Sequence, residues 1–211
     1  MNFKDCTLAY LENTFRLEQV ETLPDLDDWL KQSADVSELE RQMIAVFRHQ
    51  LKFSGYDWNE TELAYNFIGP IMALVSFASK QANFFAERPL SGLVEGVEMS
   101  GKPDGMIASG FREPKMPYFC IQEYKKYKDP EGDPAGQALA TMLVAQELNA
   151  HRHPVYGAYI IGYDWCFMAL RGKQYAISPA YVATRDDVFD IFRILKVLKR
   201  MVAEWASEIA A

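Results

Sequence analysis

Apolar positions follow two different periods along this chain. Up to about residue 80 they recur at three- and four-residue spacing, the mark of amphipathic helices. Beyond about residue 92 they alternate or run in short blocks bounded by Gly and Pro, the mark of strands. Residues 3–54 accordingly read as helices with short breaks. SELERQMIAVFRHQLKF opens with Ser37 as N-cap and Glu40 three residues on, a capping-box pattern. Leu39, Met43, Val46 and Phe47 fall at helical spacing, and Ser54-Gly55 ends the run. WNETELAYNFIGPIMALVSFAS follows, with Asn59 or Thr61 as the cap and Leu63, Phe67, Ile71 and Leu74 at helical spacing. Pro70 is expected to kink or split that helix.

LVEGVEMSG, DGMIASG and PYFCIQEYKK read as three successive strands. DPAGQALATMLVAQELN then reads as a helix, with Asp133 as N-cap and Pro134 at its first position. VYGAYIIG and CFMALRG are strands joined across Tyr163-Asp164-Trp165, and QYAIS adds a third. DDVFDIFRILKVLKRMVAEWASEI is a long final helix, acidic at its start and basic later, as the helix dipole prefers. The order predicts an α/β fold: a central mixed sheet flanked by helices, preceded by an N-terminal helical extension.

Composition narrows the class. The chain has 211 residues, 49% hydrophobic and 24% charged, which excludes intrinsic disorder. Three cysteines, at 6, 120 and 166, lack the spacing of a disulfide framework or a structural zinc site, and Cys120 reads as a small buried hydrophobe. The longest apolar stretch, residues 71–78, is too short to span a membrane, and the N-terminal segment does not read as a signal peptide. A reducing, cytoplasmic setting is expected. The net charge of −7 argues against a nonspecific nucleic-acid coat. That excess sits in residues 1–70, with six Lys/Arg against thirteen Asp/Glu, whereas residues 101–128 carry six basic against three acidic groups.

The candidate chemistry lies in that basic segment. Asp104 opens one predicted strand, and Glu123 and Lys125 lie two apart on the next. Alternation puts Glu123 and Lys125 on one face with Phe119 and Ile121, and Gln122 and Tyr124 on the other. Charges that continue an apolar face must be paired or bound to a metal. Two carboxylates meeting at adjoining strand ends suit magnesium, and a neighbouring lysine can orient a water, stabilise developing charge, or act as a base if its pKa falls. This is the composition of a metal-assisted phosphodiester hydrolysis site. Glu62 on the preceding helix and Gln137 in the first turn of the following one lie within the same constellation.

From Trp58 to Ser178 the chain resembles the PD-(D/E)xK nuclease superfamily, with its restriction-endonuclease-like fold, and in particular small stand-alone bacterial members. WNETEL, GKPDGMI, FCIQEYKK, DPAGQALATMLVAQELN and the strand pair VYGAYIIGYDWCFMALRGKQYAIS carry the resemblance. It implies that Asp104 and Glu123 bind Mg (or Mn), helped by the backbone carbonyl of Tyr124. Lys125 would position or activate the attacking water, Glu62 would complete the metal shell, and Gln137 would match the orienting glutamine of the RecB-like branch. A tyrosine that this branch often places a turn later is replaced here by Thr141 and Met142. The resemblance implies residues 1–55 as the helical extension and residues 56–211 as the nuclease-like core, expected to form one compact unit.

Other groups read more plainly. His151-x-His153 has no second ligand pair and reads as a helix-end feature rather than zinc. Arg193, Lys196 and Arg200 read as a solvated stripe, with a phosphate-backbone contact as the sharper alternative. Ile191, Leu195, Leu198, Val202 and Trp205 opposite them read as packing residues or a homodimer contact. The tyrosines around the sheet read as cross-strand pairs before base-stacking groups. The leading expectation is a metal-dependent nuclease acting on nucleic acid, DNA before RNA. A catalytically silent interaction module binding a protein partner is the alternative, and an enzyme acting on a small phosphorylated molecule is the third.

Overall fold

The computed structural model describes residues 1–128 and 130–210. Its helices are α1 (Leu8–Phe15), α2 (Pro24–Lys31), α3 (Glu38–Ser54), α4 (Glu60–Leu63), α5 (Gly69–Val75), α6 (Pro134–Leu148) and α7 (Asp187–Ala210). Its strands are β1 (Glu18–Gln19), β2 (Ala82–Ala86), β3 (Leu90–Val94), β4 (Val97–Gly101), β5 (Gly105–Ser109), β6 (Lys115–Lys125), β7 (Val155–Ile161), β8 (Asp164–Arg171), β9 (Gln174–Ile177) and β10 (Tyr181–Val182). The main sheet runs β1-β9-β8-β7-β6-β5-β2, with β10 against β8. β6 pairs with β7 in parallel, through the crossover helix α6, and β1 pairs with β9 in parallel. The other neighbours are antiparallel, so the chain is α/β with a mixed sheet flanked by helices.

Two apolar cores result, one on each face. On the first, α2, α3, α5 and α7 cover Ile107, Cys120, Tyr124, Ile160 and Phe167. On the second, α1, α6 and the β3–β4 hairpin cover Met106, Ile121, Val155 and Met168. Alternation along each strand splits its side chains between the two cores. α6 is buried from Pro134 to Gln146, and its run of Ala and Gly lets neighbours approach on every side. A Cβ on Gly136 would lie 2.7 Å from the backbone of Cys6 and Thr7. Asp133 caps α6 by accepting from the Gly136 N–H at 2.9 Å, and its second oxygen accepts from the Leu8 N–H at 2.8 Å.

Residues 1–55 are woven into these layers. β1 adds a sheet edge, and Trp29 is fully buried, donating from its indole nitrogen to the Ile194 carbonyl at 3.0 Å. LVEGVEMSG, expected as one strand, is the β3–β4 hairpin, turned at Glu95-Gly96 with positive φ at both residues. β2 comes from QANFFA, where no strand was expected. Pro70 does not split its helix. A π turn over Ala64–Ile68 joins α4 to α5, and the Gly69 N–H reaches back to the Ala64 carbonyl. The wider turn accommodates the proline ring and its missing donor.

The α7 expectations hold in part: the apolar side packs as expected and Arg200 is solvated, but Arg193 and Lys196 are tied to the α2–α3 segment. Arg193 donates to the carbonyls of Leu30 and Gln32 at 2.9 and 2.5 Å. Lys196 pairs with Glu40 at 2.8 Å, and Arg200 meets Gln32 at 2.7 Å. Arg193 and Lys196, half-buried, strap the α2–α3 segment to α7, while Arg200 stays exposed at the edge of that contact. Ile191, Leu195, Leu198 and Val202 lie inside the first core, so they offer no dimer contact. Among the described residues, no helix is long and apolar enough to cross a membrane.

Candidate active site

The site forms where β5 begins and β6 ends. Antiparallel pairing sets Gly105 opposite Gln122, which brings Asp104 beside the last residues of β6. Asp104 Oδ2 accepts from the Tyr124 N–H at 2.6 Å, fixing the carboxylate against the strand. Glu123 and Lys125 share the second face, and Lys125 Nζ donates to Glu123 Oε1 at 2.9 Å. Both are buried, at 7% and 8% exposure. Tyr124 turns to the first face, where its hydroxyl donates to Gln122 Oε1 at 2.5 Å. The expected alternation therefore holds from Ile121 to Lys125. It fails at Phe119, which a bulge between the partners of Ile107 and Ala108 moves into the first core beside Cys120.

A cleft of about 860 Å³ opens over Asp104, Glu123 and Lys125. Gln137 and Thr141 of α6 form its inner wall, and Lys4, Ser91, Ser100 and Lys102 stand around its rim. Gln137 is 4% exposed, and among the described residues its side-chain amide has no protein partner. Asp104, Glu123, Lys125 and Gln137 are thus brought together. Glu62 is not. Its carboxylate accepts from the Asn59 N–H at 2.8 Å and closes the capping box of α4. Glu60, one half-turn earlier, is the helix-borne acid that lines the cleft, 3.9 Å from Lys125 Nζ. Glu87 enters beside it through the loop after β2, its N–H donating to the Asp104 carbonyl at 3.2 Å. Both acids went unrecognised in the sequence. The Asn59-x-x-Glu62 spacing was the available signal, since a capping box commits its glutamate to the backbone.

No protein-family model and no curated protein matches the chain.

Burial raises the Asp104 pKa. The Tyr124 N–H and Lys125 oppose the rise, and Glu60 and Glu87 add to it. Burial, then Asp104, pushes Glu123 up to about 7 against the pull of Lys125. For Lys125 burial works toward the neutral amine, but Glu123, Glu60 and Asp104 outweigh it and hold its pKa above the ordinary value. These carboxylates favour the ammonium form of Lys125. The cleft holds one buried cation among carboxylates that burial and mutual repulsion disfavour as anions.

Among the described residues, no group of three or more His, Cys, Asp or Glu side chains is gathered to hold a metal ion by itself. Magnesium keeps several waters and is commonly held through one or two carboxylates, so the pair of Asp104 and Glu123 fits its demands. A divalent cation there would relieve the repulsion that disfavours both anions. The other expected histidine feature is structural. His153 stacks on Phe119 and Trp205, and His151 Nε2 lies 3.1 Å from Glu147.

Proposed function

We propose that this chain is a metal-dependent nuclease of the PD-(D/E)xK type, built on a restriction-endonuclease-like core and acting on DNA before RNA. One observation carries the reading: Asp104, Glu123 and Lys125, from adjoining strands, line one cleft with Gln137 at its inner wall. Asp104, Glu123 and the carbonyl of Tyr124 would hold Mg (or Mn). Such an ion supplies Lewis-acid stabilisation of phosphoryl charge and lowers the pKa of a water.

The chain's own groups have distinct parts. Lys125, as an ammonium, donates to a water or to a phosphoryl oxygen and offsets charge that develops there. Glu123 holds the ammonium in place through the 2.9 Å bond. The Gln137 amide, unpartnered, supplies a donor and an acceptor to orient what enters. Glu60 takes the part that the resemblance gave to Glu62.

Incubation of plasmid and of a single-stranded oligonucleotide with Mg²⁺ or Mn²⁺ tests the reading. Cleavage that a chelator stops and that Lys125→Ala abolishes, with unfolding still cooperative, is expected. Absence of cleavage with either metal on either substrate overturns it.

A second reading has its own observation. α3 exposes Leu39, Met43, Val46 and Phe53 on one side, at the spacing of a coiled-coil seam. An interaction module would use this stripe to pair with a second copy, antiparallel, so that Glu38 of one helix approaches Lys52 of the other. It requires a dimer by light scattering that Val46→Glu separates, together with no cleavage.

A further inference from the structure

A second chamber, of about 390 Å³, opens on the other side of Asp104. It shares Glu60, Glu87 and Asp104 with the larger cleft, so the two are continuous at that acidic lip. Their remaining linings differ in kind. The larger chamber carries Lys4, Lys102 and Lys125. Among the described residues, no Lys or Arg lines the smaller one, whose wall is apolar and aromatic: Ala64, Tyr65, Ile68, Phe84 and Tyr124.

Two local features shape this wall. Gly105 lets the Phe84 ring and the Tyr124 hydroxyl close over the start of β5, because a Cβ there would lie 2.7 Å from each. Tyr65 stands on the π turn, 77% exposed, and among the described residues its ring has no aromatic or hydrogen-bond partner. Such turns recur at functional positions, and an open aromatic ring there offers a stacking face.

We propose that the smaller chamber seats one nucleobase of the substrate strand while the neighbouring phosphate lies beside Lys125, so that the strand is unpaired where it is cut. The inference rests on the nuclease reading and names its substrate class: single-stranded, frayed or locally opened nucleic acid. Charge decides which part of a nucleotide goes where. Glu60, Glu87 and Asp104 border both chambers, so the lysines make the difference, and a phosphate is drawn to the side that carries Lys4, Lys102 and Lys125. A neutral base stacks on aromatic faces, and its amino groups find acceptors in the carboxylate lip. The volume is that of a small-ligand site, room for one base and not for a base pair between two backbones.

The test compares a single-stranded oligonucleotide, its duplex, and a strand of the same length with abasic residues throughout. Cleavage is read with Mg²⁺, and binding is read by fluorescence anisotropy in a chelator. Tyr65→Ala is expected to lose about tenfold in cleavage efficiency and affinity on the normal strand, the scale of one base on one ring. It should lose little on the abasic strand, and Tyr65→Phe should restore the loss. Cleavage that is equally efficient on normal and abasic strands overturns this inference and leaves the nuclease reading standing. Base-dependent binding without cleavage overturns the nuclease reading and supports the chamber. Neither cleavage nor base-dependent binding removes both.

Discussion

Cations packed on opposite faces of the same sheet, half-buried on α7 and buried at the end of β6, are satisfied in different ways. Arg193 on α7 ends on the carbonyls of Leu30 and Gln32 and on the Asp190 carboxylate, and Lys196 ends on a single carboxylate, Glu40. Each is matched by acceptors that its own position needs, and nothing is left over. Lys125 instead stands among Glu123, Glu60 and Asp104, with Glu87 beside them. One cation there faces an excess of carboxylates, two of which burial pushes toward neutrality. A balanced charge holds segments together, whereas an unbalanced one is kept at a cost in stability and marks a site with a task.

The comparison is broken most sharply at the cleft carboxylates. Asp104→Asn or Glu123→Gln removes one member of the repelling pair. Cleavage should fall by roughly a thousandfold or more, the scale of removing a group that acts at the reacting centre. The unfolding midpoint, measured in urea with a chelator present, should hold or rise. Mg²⁺ should raise the midpoint of the unsubstituted protein and not that of either variant. A variant that loses stability and keeps cleaving would show that these carboxylates serve the fold.

Arg193→Ala is the opposite case. It removes two charge-assisted hydrogen bonds to the backbone, frees two carbonyls and leaves Asp190 without its i,i+3 partner. Unfolding stability should drop by about 1.5–3 kcal/mol, with metal-dependent cleavage unchanged at temperatures where the variant stays folded. A loss of cleavage that exceeds the fraction unfolded would give the α7 cations a part in substrate binding instead of strapping.

What was legible in the sequence follows the same division. Alternation from Ile121 to Lys125 placed the Glu-x-Lys pair on a buried face, because a strand paired on both sides has no freedom to slip there. Phe119 was misplaced because a bulge is set by the partner strand, and one strand's pattern does not contain it. The β3–β4 hairpin read as one strand because its turn, Glu95-Gly96, interrupts the alternation by only two residues. β2 was missed because Gln81 and Asn83 dilute the apolar signal of Phe84 and Phe85. Arg193 read as solvated because it ends on backbone carbonyls of the α2–α3 segment, and backbone acceptors carry no residue-type signature, whereas the solvated reading holds for Arg200.

Glu60 and Glu62 allow the finest test, since they lie two residues apart and only one lines the cleft. Glu62 closes the capping box with Asn59, each side chain accepting from the other's backbone N–H, at 2.8 and 2.9 Å. Glu62→Ala should therefore cost about 0.5–1 kcal/mol of stability and leave cleavage per folded molecule unchanged. Glu60→Gln keeps a polar side chain at the lip but removes a charge that faces Lys125 across 3.9 Å and raises the Asp104 pKa. Its effect should fall on cleavage, a few-fold in kcat/KM, with the urea midpoint unmoved, because an interaction with a half-exposed partner contributes only about 0–1 kcal/mol. If Glu62→Ala instead lowers kcat/KM while Glu60→Gln does not, the helix presents the other acid to the substrate, and the division between structural and catalytic charge has to be redrawn at α4.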